Sequence, residues 1–348
     1  MSLRKVRLSY KKERCLLSDV LPYEIPVSFS NRHFYTFTLR HRISIEDNAI
    51  VWIKRSLALD TIVHLLFALP ENPDRLATEN RFVGEEEVIF MRYQLNDKNI
   101  SAANKKPKPE CFMTPFAFKI RHKEAEFREL CVPHPKSQLL VVDFYDRCKE
   151  TILYYTSLSS YSIRAPSRLS KIQYHKDSLH FERLAGDTAF IEQADKEYES
   201  LRSFFVYKDY SNIYKFYESY RYHRAEKKYN KLIKLDISKC FDSIYTHSIG
   251  WALIGKEAQK ESLHLNRGTF PDQFDKLMQH MNQGETNGIV IGPEFSRIFA
   301  EIILQAIDRE VLQALKKTNV PLHNQVDYET FRYVDDYFIF VNDDNDGN

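Results

Sequence analysis

The sequence predicts a mixed α/β (α+β) fold on three observations. Phe331-Arg332-Tyr333-Val334-Asp335-Asp336-Tyr337-Phe338-Ile339-Phe340 sets two adjacent carboxylates between runs of aromatic and β-branched residues, the pattern of a hairpin with a polar turn. In residues 231–242, Ile233, Leu235 and Ile237 alternate with Lys234, Asp236 and Ser238, the period of a half-buried strand. Gly292-Pro293-Glu294 reads as a helix start, with Pro at the first position and an acid in the first turn. Ile298, Phe299, Ile302, Ile303 and Ala306 give the predicted helix over 293–316 an apolar face.

The remaining elements follow in order. Residues 34–39 read as a strand and 50–69 as a helical stretch. The prolines and lysines of 105–109 predict a linker. Alternation over 116–132 predicts a hairpin, and helical periodicity covers 138–158 and 200–230. At 348 residues the chain can bury ample core in two or three domains. Its five cysteines are scattered, odd in number and form no CxxC pair, which argues against a disulfide framework or a zinc site and for a reducing compartment. No apolar segment of signal-peptide type follows Met1, and the longest apolar run, 62–69, is too short for a bilayer, so the cytoplasm is the expected location and no membrane partner is expected. With a net charge of +2, a nucleic-acid partner has to be met by a local basic face.

Two like charges at a buried hairpin tip cost free energy unless cations neutralise them. Asp236, at the end of the predicted strand, is unremarkable alone but becomes a candidate metal ligand when paired with Asp335-Asp336. Nucleotidyl transfer uses two Mg²⁺ ions roughly 3.5–4 Å apart, flanked by carboxylates. Magnesium takes hard oxygen ligands, so aspartates without His or Cys are the expected donor set. Residues 220–231 interleave cations with tyrosines, which suits phosphate neutralisation and base stacking and equally suits a solvated helix face. Residues 161–168 form a second basic loop with the same two readings. His134, between two prolines, reads as structural, and the sequon at 99–101 is a pattern without consequence in the cytosol.

Leu235-Asp-Ile-Ser-Lys-Cys-Phe-Asp-Ser-Ile-Tyr-Thr-His-Ser248, Gly292-Pro-Glu-Phe-Ser-Arg297 and Arg332-Tyr-Val-Asp-Asp-Tyr-Phe338 resemble, in order and spacing, motifs A, B and C of the reverse transcriptase palm. Their wording resembles the bacterial abortive-infection and defence-associated reverse transcriptases, as does that of Leu21-Pro-Tyr-Glu-Ile-Pro-Val-Ser-Phe-Ser-Asn31 and Phe127-Arg-Glu-Leu-Cys-Val-Pro-His-Pro-Lys-Ser-Gln138. The resemblance implies a right-hand polymerase: an N-terminal extension and the start of the fingers over 1–105, fingers over 106–230, and a palm with an antiparallel sheet over 231–348. It implies Asp236 and Asp335 as principal ligands of two Mg²⁺ or Mn²⁺ ions, Asp336 as a supporting carboxylate and a backbone carbonyl from Ile237. Phe241 falls at an aromatic steric gate against the ribose 2′-OH, or is a core aromatic. Arg128 matches the residue that holds the incoming triphosphate. Lys119 and Arg121 are further candidates, or solvated hairpin charges. Gly292, Ser296 and Arg297 fall on the template and primer side.

The implied activity is RNA-directed DNA synthesis in anti-phage defence, with non-templated or protein-primed synthesis allowed. The implied partners are dNTPs, an RNA template or noncoding RNA, the DNA product, and a second protein subunit or further copies of the chain. The alternative is a catalytically silent polymerase-like scaffold that binds a noncoding RNA or a protein. Two departures stand out. Val290-Ile291-Gly292 replaces the Pro-Gln-Gly of many reverse transcriptases, and the sequence stops at 343–348, before the later palm motifs and the thumb, so a fragment or completion by another segment or subunit is expected.

Overall fold

The computed structural model describes residues 5–7, 12–26, 29–95, 113–121, 126–170, 173–175, 204–261 and 266–342. Its elements up to the middle of the chain are β1 (Lys5–Arg7), α1 (Arg32–Arg40), β2 (Ser44–Glu46), β3 (Ala49–Ile53), α2 (Leu57–Leu66), β4 (Leu76–Val83), β5 (Glu86–Gln94), β6 (Phe116–Arg121), β7 (Phe127–Val132) and α3 (Pro135–Tyr155). Then come β8 (Pro166–Leu169), β9 (Gln173–His175), β10 (Phe205–Tyr207), α4 (Ile213–Tyr217), α5 (Tyr220–Lys228), β11 (Lys231–Asp236) and α6 (Cys240–Ser243). The chain continues through α7 (Ser248–Ile254), α8 (Lys256–Glu261), α9 (Phe270–Met281), α10 (Glu294–Lys316), β12 (Tyr328–Tyr333) and β13 (Asp336–Val341). Every strand-to-strand ladder among them is antiparallel, the α+β character expected from the sequence. No helix of the described residues is long and apolar enough to cross a membrane.

The chain forms two compact units. One comprises Met1–Lys11, Glu150–Cys240 and Ala300–Asn348, the other Lys12–Lys149 and Phe241–Phe299. In the second of these, a four-stranded sheet of order β2-β3-β5-β4 packs Trp52, Met91 and Tyr93 against Leu59, Val63 and Phe67. A separate aromatic cluster joins Phe144, Phe270, Phe274, Phe295 and Phe299. The β6–β7 ribbon is tied to residue 291 by the Cys131 N–H, which donates to the Ile291 carbonyl at 2.9 Å.

In the first unit a three-stranded sheet of order β11-β13-β12 has a core on both faces. Opposed residues of an antiparallel pair share a face. Leu232, Phe338, Phe340 and Phe331 therefore point one way, where they meet Phe216, Tyr222, Ala225 and Tyr229 of the α4–α5 region. Ile233, Ile339, Val341 and Tyr328 point the other way, toward Tyr161, Leu312, Leu315 and Leu322.

Several expectations need correcting. Residues 34–39 are helical within α1. Phe34 and Phe37, one turn apart, pack on the Trp52 cluster, and the Thr38 hydroxyl donates to the Phe34 carbonyl at 2.8 Å. The stretch 50–69 is two elements: buried β3, then α2, whose true start is marked by Ser56 accepting the Leu59 N–H at 3.2 Å. Within 200–230, the described part holds β10, α4 and α5 in place of one helix, and Pro166–Leu169 of the basic loop is strand β8. The apolar alternation of 231–238 does not mark one buried face: Leu232 and Ile233 enter opposite cores, while Leu235 is 53% exposed near the strand's end. The hairpins at 116–132 and 331–340 are present, and the predicted helices over 138–158 and 293–316 correspond to α3 and α10, with Glu294 as the first helical residue. The linker at 105–109, the sequon at 99–101, the turn at 122–125 and the segment 343–348 lie outside the described residues.

Candidate functional site

The site grows from the register of the three-stranded sheet. Asp236 ends β11 and Asp336 begins β13, and the two are directly opposed across the ladder. Directly opposed side chains stand about 4.5–5.5 Å apart at Cβ, and like charges so placed repel. Asp335 occupies the two-residue turn between β12 and β13, and its carbonyl accepts the Ile237 N–H at 3.3 Å. The sheet thus carries three carboxylates at one end, Asp236 exposed and Asp335 and Asp336 half-buried. The Ile237 carbonyl accepts the Cys240 N–H at 3.1 Å and retains a second lone pair.

The electrostatics express this crowding. Burial pushes the Asp336 carboxyl above the ordinary carboxylate range, and the negative charges of Asp335 and Asp236 push it further. Lys234, on the same face, pulls in the opposite direction, with its ammonium 5.3 Å from the Tyr217 ring centroid and 5.7 Å from that of Phe338. The Cys240 thiol is pushed up to about 11 by burial and by Asp335, with Arg332 opposing and Asp236 adding to the rise. What remains is a hard-oxygen donor set carrying excess negative charge, which fits Mg²⁺ or Mn²⁺. Magnesium is usually held by one or two carboxylates with waters and phosphates rather than by an all-protein cage. Among the described residues no group of three or more His, Cys, Asp or Glu is placed to hold a metal ion.

Behind the turn lies a buried polar network that sequence reasoning missed. Arg332 is fully buried, and its guanidinium donates to both Glu301 oxygens at 2.7 and 3.0 Å and to Asp308 at 3.0 and 3.2 Å. It also donates to the Val334 carbonyl at 2.9 Å. Burial alone would lower the Arg332 pKa, but Glu301 and Asp308 hold it above its ordinary value. Tyr337 and Ser159 donate hydroxyls to Asp308 at 2.7 and 2.6 Å. No local pattern marks it: Glu301 and Asp308 lie on the side of the helix away from Phe299, Ile302, Ile303 and Ala306, alongside Arg297 and Gln305, where charged residues ordinarily face solvent.

The other predicted residues belong to the second unit. Arg128, Lys119 and Arg121 are exposed on the β6–β7 ribbon, but they do not share a face: Arg128 is opposed to Ile120, whereas Lys119 and Arg121 alternate with that residue on the other side. Phe241 is buried, and its carbonyl accepts the Ile289 N–H at 2.9 Å. Gly292 has φ +119°, and a Cβ there would stand 2.8 Å from the Pro22 ring. The Ser296 hydroxyl is buried with no hydrogen-bond partner among the described residues, while its N–H donates to the Pro293 carbonyl at 3.2 Å, and Arg297 pairs with Glu294 at 3.0 Å. In the basic segments, Arg221 pairs with Asp209 and Arg224 with Glu329, while Arg164 lies 4.3 Å from the Tyr207 ring centroid. His134 accepts the Lys136 N–H at the start of α3, a structural role.

A scan against protein-family models matches none, and no curated protein is significantly similar to the chain.

Proposed function

We propose that the chain is a metal-dependent DNA nucleotidyltransferase of the reverse-transcriptase kind, acting in anti-phage defence in the bacterial cytoplasm, with a fingers-and-palm architecture. The observation that carries this reading is the opposition of Asp236 and Asp336 across one ladder, with Asp335 in the adjoining turn. Such a concentration of carboxylates at a sheet end is costly without cations and useful with them. Asp236 and Asp335 serve as principal ligands, with support from Asp336 and the Ile237 carbonyl. When bound, the divalent cations ease deprotonation of the attacking hydroxyl and neutralise charge on the leaving pyrophosphate.

A primer 3′-hydroxyl, or a protein hydroxyl, attacks the dNTP α-phosphorus. A new phosphorus–oxygen bond forms, the α–β bridge breaks and pyrophosphate leaves. The protein contributes positioning and charge rather than a covalent nucleophile. Arg128 suits a paired hold on phosphate oxygens, Phe241 suits exclusion of a 2′-OH by clash, and Gly292, Ser296 and Arg297 form the template-side segment. Val290-Ile291 in place of Pro-Gln, which removes a polar side chain, is compatible with synthesis that does not read a template closely.

The test is incorporation of radiolabelled dNTPs by the intact protein with Mg²⁺ or Mn²⁺. Incorporation is expected, and is expected to vanish in EDTA and in the Asp335→Ala/Asp336→Ala variant. Undiminished incorporation in that variant removes the site assignment. RNA that co-purifies without polymerisation under any template, primer or metal condition identifies a scaffold instead. Sequencing the product with and without nuclease-treated RNA decides whether a template is read.

A further inference from the structure

We propose that Arg332 is the positioning residue of the carboxylate pair: its buried guanidinium, anchored on Glu301 and Asp308, holds the Val334 carbonyl and thereby the turn that sets Asp335 and Asp336. The inference rests on the reading of those aspartates as metal ligands, and it adds a residue that the motif comparison leaves without a role.

Two independent observations meet at this turn. First, Val334 has φ +58°, the left-handed region, where a β-branched residue is an outlier. With Tyr333 paired to Asp336, Val334-Asp335 is a two-residue hairpin loop, and Val334 occupies the first central position, where glycine is favoured when φ is positive. A valine keeps that conformation only if its surroundings over-determine it. Second, the Arg332 guanidinium engages three groups: Nε donates to Asp308, Nη1 to Glu301 and to the Val334 carbonyl, and Nη2 to Glu301 while pairing with Asp308 at 2.9 Å; of the three, the Val334 carbonyl alone belongs to the turn. The Arg332 backbone is fixed as well, since its N–H donates to the Tyr161 carbonyl at 2.7 Å and its carbonyl accepts the Ile163 N–H at 2.9 Å. A planar fork pinned on two buried carboxylates and on its own backbone is a rigid point from which to hold a strained turn. Lysine has one ammonium in place of the fork and cannot serve all three acceptors in this geometry.

The test uses the full chain, with Mn²⁺ titration followed by electron paramagnetic resonance and, separately, dNTP kinetics. Arg332→Lys is expected to weaken Mn²⁺ binding by roughly 10- to 100-fold, the usual effect of losing an outer partner of a metal ligand, and to lower kcat while leaving the dNTP KM nearly unchanged. Adding Val334→Gly is expected to recover most of the lost affinity, because glycine adopts the left-handed turn without being held. A merely structural arginine is not rescued by a glycine in the turn. Should Arg332→Lys fail to fold, Asp308→Asn keeps the shape of the anchor and is expected to show the same loss at smaller amplitude, with the same rescue. Wild-type Mn²⁺ affinity in the folded Arg332→Lys or Asp308→Asn protein, or a loss that Val334→Gly does not reverse, overturns the proposal. If wild type and Asp335→Ala bind Mn²⁺ equally, the metal-site reading itself fails, and that arm is read before Arg332 is altered.

Discussion

Asp336 sits half-buried opposite one aspartate and beside another, so its ionised form is less favoured in the folded protein than in the unfolded chain. The folded state therefore holds this proton more tightly. Between the ordinary carboxylate pKa and the raised one, the folded protein binds more protons than the unfolded chain, and its stability falls as pH rises through that window. Asp336→Asn removes the liability. In EDTA at neutral pH the variant is expected to melt above wild type, with the difference shrinking as pH drops below the ordinary carboxylate range. Added Mg²⁺ is expected to raise the wild-type Tm by binding the folded state, and to raise that of the variant less. A variant Tm at or below wild type in EDTA contradicts the repulsion described.

The three-stranded sheet explains which elements could be read from sequence. The hairpin around Asp335 was legible because aromatic runs on both sides of a polar pair admit few alternatives, and β11 was legible as a strand. Its burial was not: the alternation of Ile233, Leu235 and Ile237 suggests one core face, but this sheet has two and its end is open at Leu235. Residues 34–39 were misread because aromatic content outweighed the one-turn spacing of Phe34 and Phe37. The three aspartates could be found from local pattern and order, whereas the Arg332 network could not, since its partners come from a distant helix and from the loop after α3. Packing makes a direct prediction here. Phe216 is fully buried and its ring meets those of Phe331 and Phe338. Phe216→Ala should cost about 3–5 kcal/mol in denaturant unfolding, whereas Leu235→Ser should stay within about 0.5 kcal/mol. Equal losses would show that the sheet is not held from the α4–α5 side.

For the whole molecule, a net charge of +2 leaves nucleotide and nucleic-acid recognition to particular cations rather than to a global field. The β6–β7 ribbon separates its candidates by face. On the proposed function, Arg128→Ala raises the dNTP KM about tenfold, the scale of one charge-assisted hydrogen-bonding group, with little change in kcat. The Lys119→Ala/Arg121→Ala variant, altered on the opposite face, is expected to stay within about twofold of wild type, the range of ordinary surface substitutions. The reverse ranking would move the triphosphate to the other side of the ribbon. All of this depends on the claim that the carboxylates of Asp236, Asp335 and Asp336 exist to hold divalent cations. Anomalous diffraction from crystals of the intact protein soaked with Mn²⁺ and a dNTP tests that claim most directly. Manganese peaks are expected on the Asp236 and Asp335 carboxylates and absent from the Asp335→Ala variant; manganese bound elsewhere in the protein, with none at this end of the sheet, would contradict that claim.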